Sequence, residues 1–422
     1  MMEKLKLDRQ ESPVWTNILY FLKWSLIAAV LGTVGGFFGS LFSLGITQAT
    51  GLRQGNPWLL FAMPAAGLVI VWLYSVTHQE KNRGTDMVID SISSNEKITG
   101  VTGPLIFVST VLTHLVGGSS GREGAALQLG GSIGSVLGRL LKLDEKDLKI
   151  ATMCGMSAVF AALFGTPIAA GVFSLEVVSI GVLYYAAMVP CLFSAYIGQA
   201  VAGAFGIPPE NYPIAQVPPI SFGSVGFTVL LGALCALVSM LFCIILHRAG
   251  YLYRKFFKNP YIRVLAGSAL FIALTMAVGT GDYLGSGIQL IEGAMEGQVR
   301  YEAFFLKMIF TAIALGAGFK GGEIVPTLCV GATFGCAVGS LLGFSPSLCA
   351  ACGMAALFVG VTNCPITSLI IALELFGYAG MEYYSIVIAV SFALSGYYGL
   401  YASQKFVYSK TKTEFINRRP NP

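Results

Sequence analysis

The amino-acid sequence predicts an all-α, polytopic membrane protein made of two related halves, and three observations predict it. Of its 422 residues 55% are hydrophobic and only 11% charged, where a soluble domain carries about 25% charged residues. Stretches free of any charge run over 177–209 and 324–373, each longer than the roughly 20 apolar residues a helix needs to cross a bilayer. A backbone in lipid has to bond to itself, and these runs lack the period-2 alternation of a barrel, so helices are the expected spans. Finally, matching segments recur about 200 residues apart.

Taken in order, residues 1–13 (MMEKLKLDRQESP) mix both signs and lack the apolar core and cleavage site of a signal peptide, so the mature chain is expected to start there. Residues 15–47 are too long for one perpendicular crossing and carry Gly32, Gly35, Gly36 and Gly39. They read as a steeply tilted helix packed closely on its neighbours. A second span, 57–77, ends in the wetted HQEKNRG; a short loop from Gly84 then opens an amphipathic helix, and an apolar run over 101–116 follows. Residues 142–149 (KLDEKDLK) read as a wetted loop. In the stretch 154–176, Pro167 splits what would otherwise be one helix.

At a constant offset of 198, Cys154, Gly155, Met156, Phe160, Pro167, Ile168 and Glu176 meet Cys352, Gly353, Met354, Phe358, Pro365, Ile366 and Glu374. At 201, Gly121, Gly130, Gly134 and Gly138 meet Gly322, Gly331, Gly335 and Gly339. Between the halves, IPPENYPIAQVPPI at 207–220 holds five prolines, which exclude helix and mark a surface linker. The organisation read from this is a tail over 1–13, a first membrane repeat over 14–206, the linker over 207–220, a second membrane repeat over 221–404 and a tail over 405–422. Lys4, Lys6, Arg9 and the basic residues of the last segment favour cytoplasmic placement of both ends. Repeats with Pro- and Gly-interrupted segments in matching places are the mark of a transporter whose site lies at the repeat interface, where Glu123 and Glu323 are expected to meet.

Residues 117–138 (GGSSGREGAALQLGGSIGSVLG) place Arg122 and Glu123 side by side in apolar surroundings. A charge near the bilayer centre costs on the order of 2.5 to 3.5 kcal/mol on the lenient insertion scale, so an intramembrane pair calls for an explanation. Gly121 and Gly124 flank it and let the backbone turn its N–H groups toward an ion at a helix N-terminus, which favours an anion. Glu123 would compete with that anion when ionised and leave when protonated. The alternative is a buried ion pair joining two helices. The nine cysteines lie in apolar segments as packing residues, and the CxxC of Cys349 and Cys352 has no second pair or nearby histidine. No metal or cofactor is expected. The net charge of +5 is spread over tails and loops, with no basic run fit for nucleic acid. No Ser-His, HExxH or paired-aspartate pattern supports an intramembrane enzyme, and His114 alone is no catalytic constellation.

These motifs resemble the CLC superfamily of anion channels and anion/proton antiporters over nearly the whole chain. Gly121-Arg122-Glu123-Gly124 is similar to the family's GREGP or GKEGP motif, with Ala125 in place of proline. GGEIVP at 321–326 resembles its GxFxP motif, FGTPIAAGVFSLE resembles the segment after its gating helix, and the repeat resembles its inverted duplication. The resemblance implies a CLC-type fold with two inverted repeats of broken and tilted helices, and a homodimer with one pore per subunit. It makes Glu123 the gating and proton-carrying glutamate. Two departures point to one branch. Where the chloride-coordinating GSGIP motif should fall, the chain reads Gly84-Thr85-Asp86-Met87-Val88, without its serine or proline. GxFxP has become Gly322-Glu323-Ile324-Val325-Pro326, and a glutamate there resembles the fluoride/proton antiporters, in which the GSGIP serine is also absent.

By this likeness the anion path is lined by Gly121, Arg122, Gly124, Thr85, Met87, Glu323, Ile324 and Val325, with Tyr401 of the SGYYGLY stretch at its inner end. Arg122 is expected to brace the loop, Asp86 to cap the helix that follows it, and Glu176 and Glu374 to pack against partner backbone. Val177 occupies the position of the internal proton glutamate of chloride/proton antiporters. The function implied is proton-coupled fluoride export across the plasma membrane. The alternative is a chloride/proton antiporter or a passive, voltage-independent chloride channel; fluoride or chloride and protons are the partners.

Overall fold

The computed structural model describes residues 13–94 and 96–421; the N-terminal tail with Lys4, Lys6 and Arg9 lies outside the described residues. The first half runs through α1 (Pro13–Gly55), a 3-10 turn (Pro57–Ala62), α2 (Met63–Val76), α3 (Thr85–Ser93), α4 (Thr102–Leu115), α5 (Glu123–Leu140), α6 (Glu145–Phe164), α7 (Pro167–Glu176) and α8 (Met188–Ala204). The second runs through α9 (Phe222–Phe256), α10 (Pro260–Val278), α11 (Ile288–Met295), α12 (Ala303–Ala317), α13 (Ile324–Leu342), α14 (Pro346–Thr362), α15 (Pro365–Phe376) and α16 (Met381–Leu394). Among the described residues, seven helices are long and apolar enough to cross a membrane.

The helix breaks follow the sequence. Gly165, at φ 69° in the left-handed region, closes α6, and Pro167 opens α7 where its missing N–H goes unused. Asn363 at φ 59° and Pro365 do the same between α14 and α15. The paired glycines are sites of close approach. A Cβ on Gly130 would lie 2.3 Å from the Gly155 carbonyl oxygen, and one on Gly331 would lie 2.4 Å from that of Gly353. Hydrogen on these residues lets α5 lie on α6, and α13 on α14, backbone against backbone.

The structure corrects two expectations and adds to a third. Residues 142–149 are not all loop. Asp144 accepts from the Lys146 and Asp147 amides and starts α6 at Glu145, where acidic residues suit the positive end of the helix dipole. The segment 207–220 is free of helix and strand as expected, yet it is more than surface. Its Glu210 and Tyr212 amides donate to Phe164 O and Leu375 O, and Tyr212 is buried. The all-α description also needs one addition, because β1 (Ser179–Ile180) pairs in parallel with β2 (Lys405–Tyr408), which pairs antiparallel with β3 (Phe415–Arg418). Phe406 is wholly buried in this small sheet, and covering it gives the last segment a reason to fold.

Candidate functional site

Two broken-helix loops meet inside the protein. The Gly121 amide donates to Gly322 O at 2.6 Å and the Gly322 amide to Gly121 O at 2.7 Å, a reciprocal antiparallel bridge between matching residues of the two halves. Such exchange is what a two-fold relation between the halves requires. It sets the N-termini of α5 and α13 against each other, and α3 adds a third: Thr85 Oγ1 donates to Gly124 O at 3.3 Å. Three helix starts thus converge on one place, each with unpaired amides and a positive dipole end.

Glu123 fills this place. It is fully buried, and its Oε2 accepts from the Arg122 amide at 3.0 Å and from the Val325 amide of the other half at 3.2 Å. A carboxylate therefore occupies donors that a free anion could take. The glycines make room there. A Cβ on Gly121 would sit 2.5 Å from Glu123 Oε2, and one on Gly124 would meet Gly322 Cα at 3.0 Å, Glu323 Oε2 at 3.2 Å and Thr85 Oγ1 at 3.3 Å. Glu323 reaches over α5 as Glu123 reaches over α13, but its Oε2 is buried without a hydrogen-bond partner. The two carboxylates share the repeat interface without pairing.

The side chain of Arg122 is engaged elsewhere. It pairs with Glu210, lies 3.4 Å from Ser43 Oγ and from Leu163 O, and its Nε is 3.7 Å from Glu123 Oε1. It braces the loop, and its backbone amide is what faces the carboxylate. Ile324 is fully buried as the first residue of α13. Met87 is buried in the first turn of α3, its amide donating to Gly84 O at 3.2 Å. Tyr401 is buried with its hydroxyl unpartnered, held by Leu400 N donating to Val361 O and Gln404 N donating to Tyr401 O. Asp86 does not cap α3 but accepts from the Ser403 amide at 2.8 Å, tying α3 to the C-terminal segment.

Two neighbours of the site escaped the sequence reading. Glu210 lies in the proline-rich run, where nothing in the spacing brings it to Arg122. Gln128 donates to Gly124 O at 3.2 Å and has its Oε1 buried and unpartnered. Its position one turn after Gly124 on an apolar helix was a signal for the second. Glu176 and Glu374 do pack on partner backbone. Glu176 accepts from Ile366 N, Thr367 N and Thr367 Oγ1, and Glu374 from Ile168 N and Ala169 N, so each half's glutamate caps the other half's broken helix.

The family model described as voltage gated chloride channel matches residues 66–396. A "Chloride/fluoride channel protein" of Pseudomonas syringae pv. tomato is 33% identical over 93% of this chain and 88% of its own. An "H(+)/Cl(-) exchange transporter" of Vibrio cholerae is 28% identical over 60% of this chain and 58% of its own. Among solved structures, a crystal structure of a CLC-type fluoride/proton antiporter superposes with a TM-score of 0.87 at 29% identity, covering 91% of this chain and 98% of that one. A slow cyanobacterial Cl-/H+ antiporter shares the fold, with a TM-score of 0.76 at 18% identity over 88% of this chain and 94% of that one.

Proposed function

This chain belongs to the voltage gated chloride channel, or CLC, family of membrane anion transporters, and on that premise we propose that it exports fluoride in exchange for protons. One observation carries the reading: the Glu123 carboxylate sits on amides from both halves, at the junction of three helix N-termini. Protonation removes its charge and weakens its hold on those donors, so one side chain can carry a proton and vacate an anion site in the same movement. The resemblance of this chain to a protein named for chloride and fluoride, and to a fluoride/proton antiporter, supports fluoride as the ion. So does Glu323 at the loop where GxFxP is expected, together with Thr85 and Met87 in place of a serine-bearing cradle.

In this reading Gly121, Gly124, Thr85, Ile324 and Val325 form the wall of the anion path, Met87 and Tyr401 bound it toward the inner side, and Arg122 holds the loop through Glu210. The working unit is a homodimer in the plasma membrane with both termini cytoplasmic. Protein reconstituted in liposomes, with fluoride and chloride electrodes and a proton-sensitive dye read together, tests it. Fluoride flux well above chloride flux, with protons driven uphill on a fluoride gradient, is the expected result, and Glu123→Gln abolishes proton movement. Equal fluoride and chloride rates end the fluoride reading and leave anion transport standing. A folded Glu123→Gln protein that still pumps protons removes Glu123 as the carrier.

A further inference from the structure

We propose that a groove among α1, α4 and α5 binds an anionic phospholipid, with an acyl chain lying in the groove and the phosphate held at its end by Lys97, Arg139 and Lys149. The site itself needs no particular transported ion; its effect on exchange rests on the transport reading.

The groove holds about 440 Å³ between Phe38 and Leu41 of α1, Phe107 and Val108 of α4, and Ile133 and Val136 of α5. Phe38, Leu41 and Val108 are exposed along its rim, on a face that lipid covers once these helices cross a bilayer. Ser132 supplies the polar side-chain atom of the lining, and that atom is already engaged. Its Oγ accepts from the Gly103 amide at 3.2 Å and donates to Thr99 O at 3.3 Å. No side chain of the wall is left needing a polar partner, so a hydrocarbon occupant suits it.

One end of the groove is cationic. A Cβ on Gly100 would lie 3.2 Å from Val136 Cγ2, so the stretch that leads into α4 crosses α5 there. Lys97, just before Gly100, and Arg139, one turn after Val136, meet beyond that crossing in a small pocket that Lys149 and Glu145 also line. Arg139 donates to Ser135 Oγ at 2.6 Å, and none of the three cations makes an ion pair among the described residues. The acids nearby are answered elsewhere. Glu96 and Asp90 pair with Arg83, Asp147 pairs with Lys23, Asp144 caps α6, and Glu145 stands in the first turn of α6 at the positive end of its dipole. Leu140 and Leu141 are exposed directly after Arg139, and apolar side chains beside a cation suit a helix end at headgroup depth.

The Lys23–Asp147 pair puts this end on the side where α1 begins, the cytoplasmic side in the proposed orientation. Anionic lipids concentrate there, and basic pockets between membrane helices hold their headgroups. A second copy of the protein fits less well, because a two-fold contact would repeat the same unpaired cations across the seam. The groove also bears on the gate, since α5 begins at Glu123. One face of α5 lies backbone to backbone on α6, where a Cβ on Gly134 would sit 2.2 Å from Ala151 O. Its face with Ile133 and Val136 has the groove instead. An acyl chain there completes the packing of α5 and steadies the helix start on which Glu123 rests.

The test titrates the purified full-length protein with phosphatidylglycerol and, separately, phosphatidylcholine, read by native mass spectrometry, and measures fluoride exchange in liposomes of phosphatidylcholine with and without phosphatidylglycerol. Phosphatidylglycerol should be retained preferentially, and Lys97→Gln, Arg139→Gln and Lys149→Gln should each weaken its retention about fivefold. Arg139→Lys should keep most of it. Val108→Trp, which fills the groove, should displace the lipid with the oligomeric state unaltered; a changed oligomeric state gives the groove to a second copy and overturns the site. Glycerol 1-phosphate at the same concentration should not compete, and competition by it would show a pocket for free phosphate instead of lipid. Added phosphatidylglycerol should raise exchange by the wild type and not by Arg139→Gln, whose rate in phosphatidylcholine matches the wild type; an equal gain in both assigns the effect to membrane surface charge and overturns the link to α5. Equal retention of the two lipids, or a preference that the three glutamine substitutions leave unaltered, overturns the site. Selective retention by a protein that moves no fluoride supports the site while removing the fluoride reading.

Discussion

At the scale of single residues, Glu123 and Glu323 occupy matching neighbourhoods in unlike ways. Glu123 places one oxygen on two amides, whereas Glu323 Oε2 lies beside Gly124 and Thr85 with no donor. A carboxylate can donate to an anion only when protonated, so the role proposed for Glu323 is proton handling or donor orientation rather than direct binding as a charged group. Glu323→Ala should therefore lower fluoride flux in liposomes while the purified protein elutes unchanged; wild-type flux would reduce the residue to a helix-start carboxylate. The Arg122–Glu210 pair carries a stability prediction. Both side chains are mostly buried, at 11% and 15% exposure, and removing one partner of a buried pair leaves a charge uncompensated, at a cost on the order of 3–5 kcal/mol. Glu210→Ala should lower the thermal midpoint sharply, and Arg122→Met combined with it should recover part of the loss. Additive losses in the double variant would show that the two side chains act separately. Glu123 was legible because a charge in an apolar, glycine-flanked segment stands out. Glu210 was hidden because a glutamate among prolines looks solvated, and only the folded path of the linker brings it to Arg122.

At the scale of elements, the repeat expresses itself as exchanged caps. The N-terminus of α15 rests on Glu176 through Ile366 N at 3.1 Å, Thr367 N at 2.8 Å and Thr367 Oγ1 at 2.6 Å, and that of α7 rests on Glu374 through Ile168 N at 3.1 Å and Ala169 N at 2.9 Å. Proline at each helix start removes one amide from the demand, and the glutamate takes the next two. Hydrogen bonds to a charged group are worth about 1.5–3 kcal/mol each at most sites. Glu176→Ala should thus destabilise more than Glu374→Ala, by one hydroxyl bond, in denaturant unfolding of the detergent-solubilised protein; the reverse order would discard the cap account. The shared proline and glutamate spacing made these helices readable in advance, since both residues act locally at helix ends. The first turn of α6 was not, because a capping aspartate followed by acidic residues has the composition of a loop.

At the scale of the whole molecule, the two halves and the membrane class followed from composition and repeat, but the fold of the C-terminal segment did not. Its strand Lys405–Tyr408 finds its partner at Ser179–Ile180 in the first half, and no local pattern announces a pairing over that distance. Further ties join the same segment to α3, where Ser403 donates through its amide to Asp86 and through its hydroxyl to Asp90. The segment therefore ties the first half, at α3 and at the strand after α7, to the end of the second. Lys410 makes this tie depend on pH. It lies beyond the last membrane helix, with Nζ donating to Phe392 O at 3.2 Å and Ser395 Oγ at 3.1 Å, and sits 4.5 Å from the Phe392 ring centroid and 5.5 Å from that of Phe406. Burial pulls its pKa from the usual 10.5 down to about 7, with the Cys243 and Cys364 thiols opposing the shift. Between those values the released segment binds a proton that the docked one has lost, so docking tightens as pH rises from about 7 toward 10.5. Below about 7 both forms carry the charge, and docking stays at its weakest. Hydrogen exchange of the strand amides, corrected for the intrinsic pH dependence of exchange, should show protection climbing through the alkaline range in the wild type. Lys410→Met should be flat and already as protected at neutral pH as the wild type is at high pH; an equal slope in the two proteins would assign the pH response to another group.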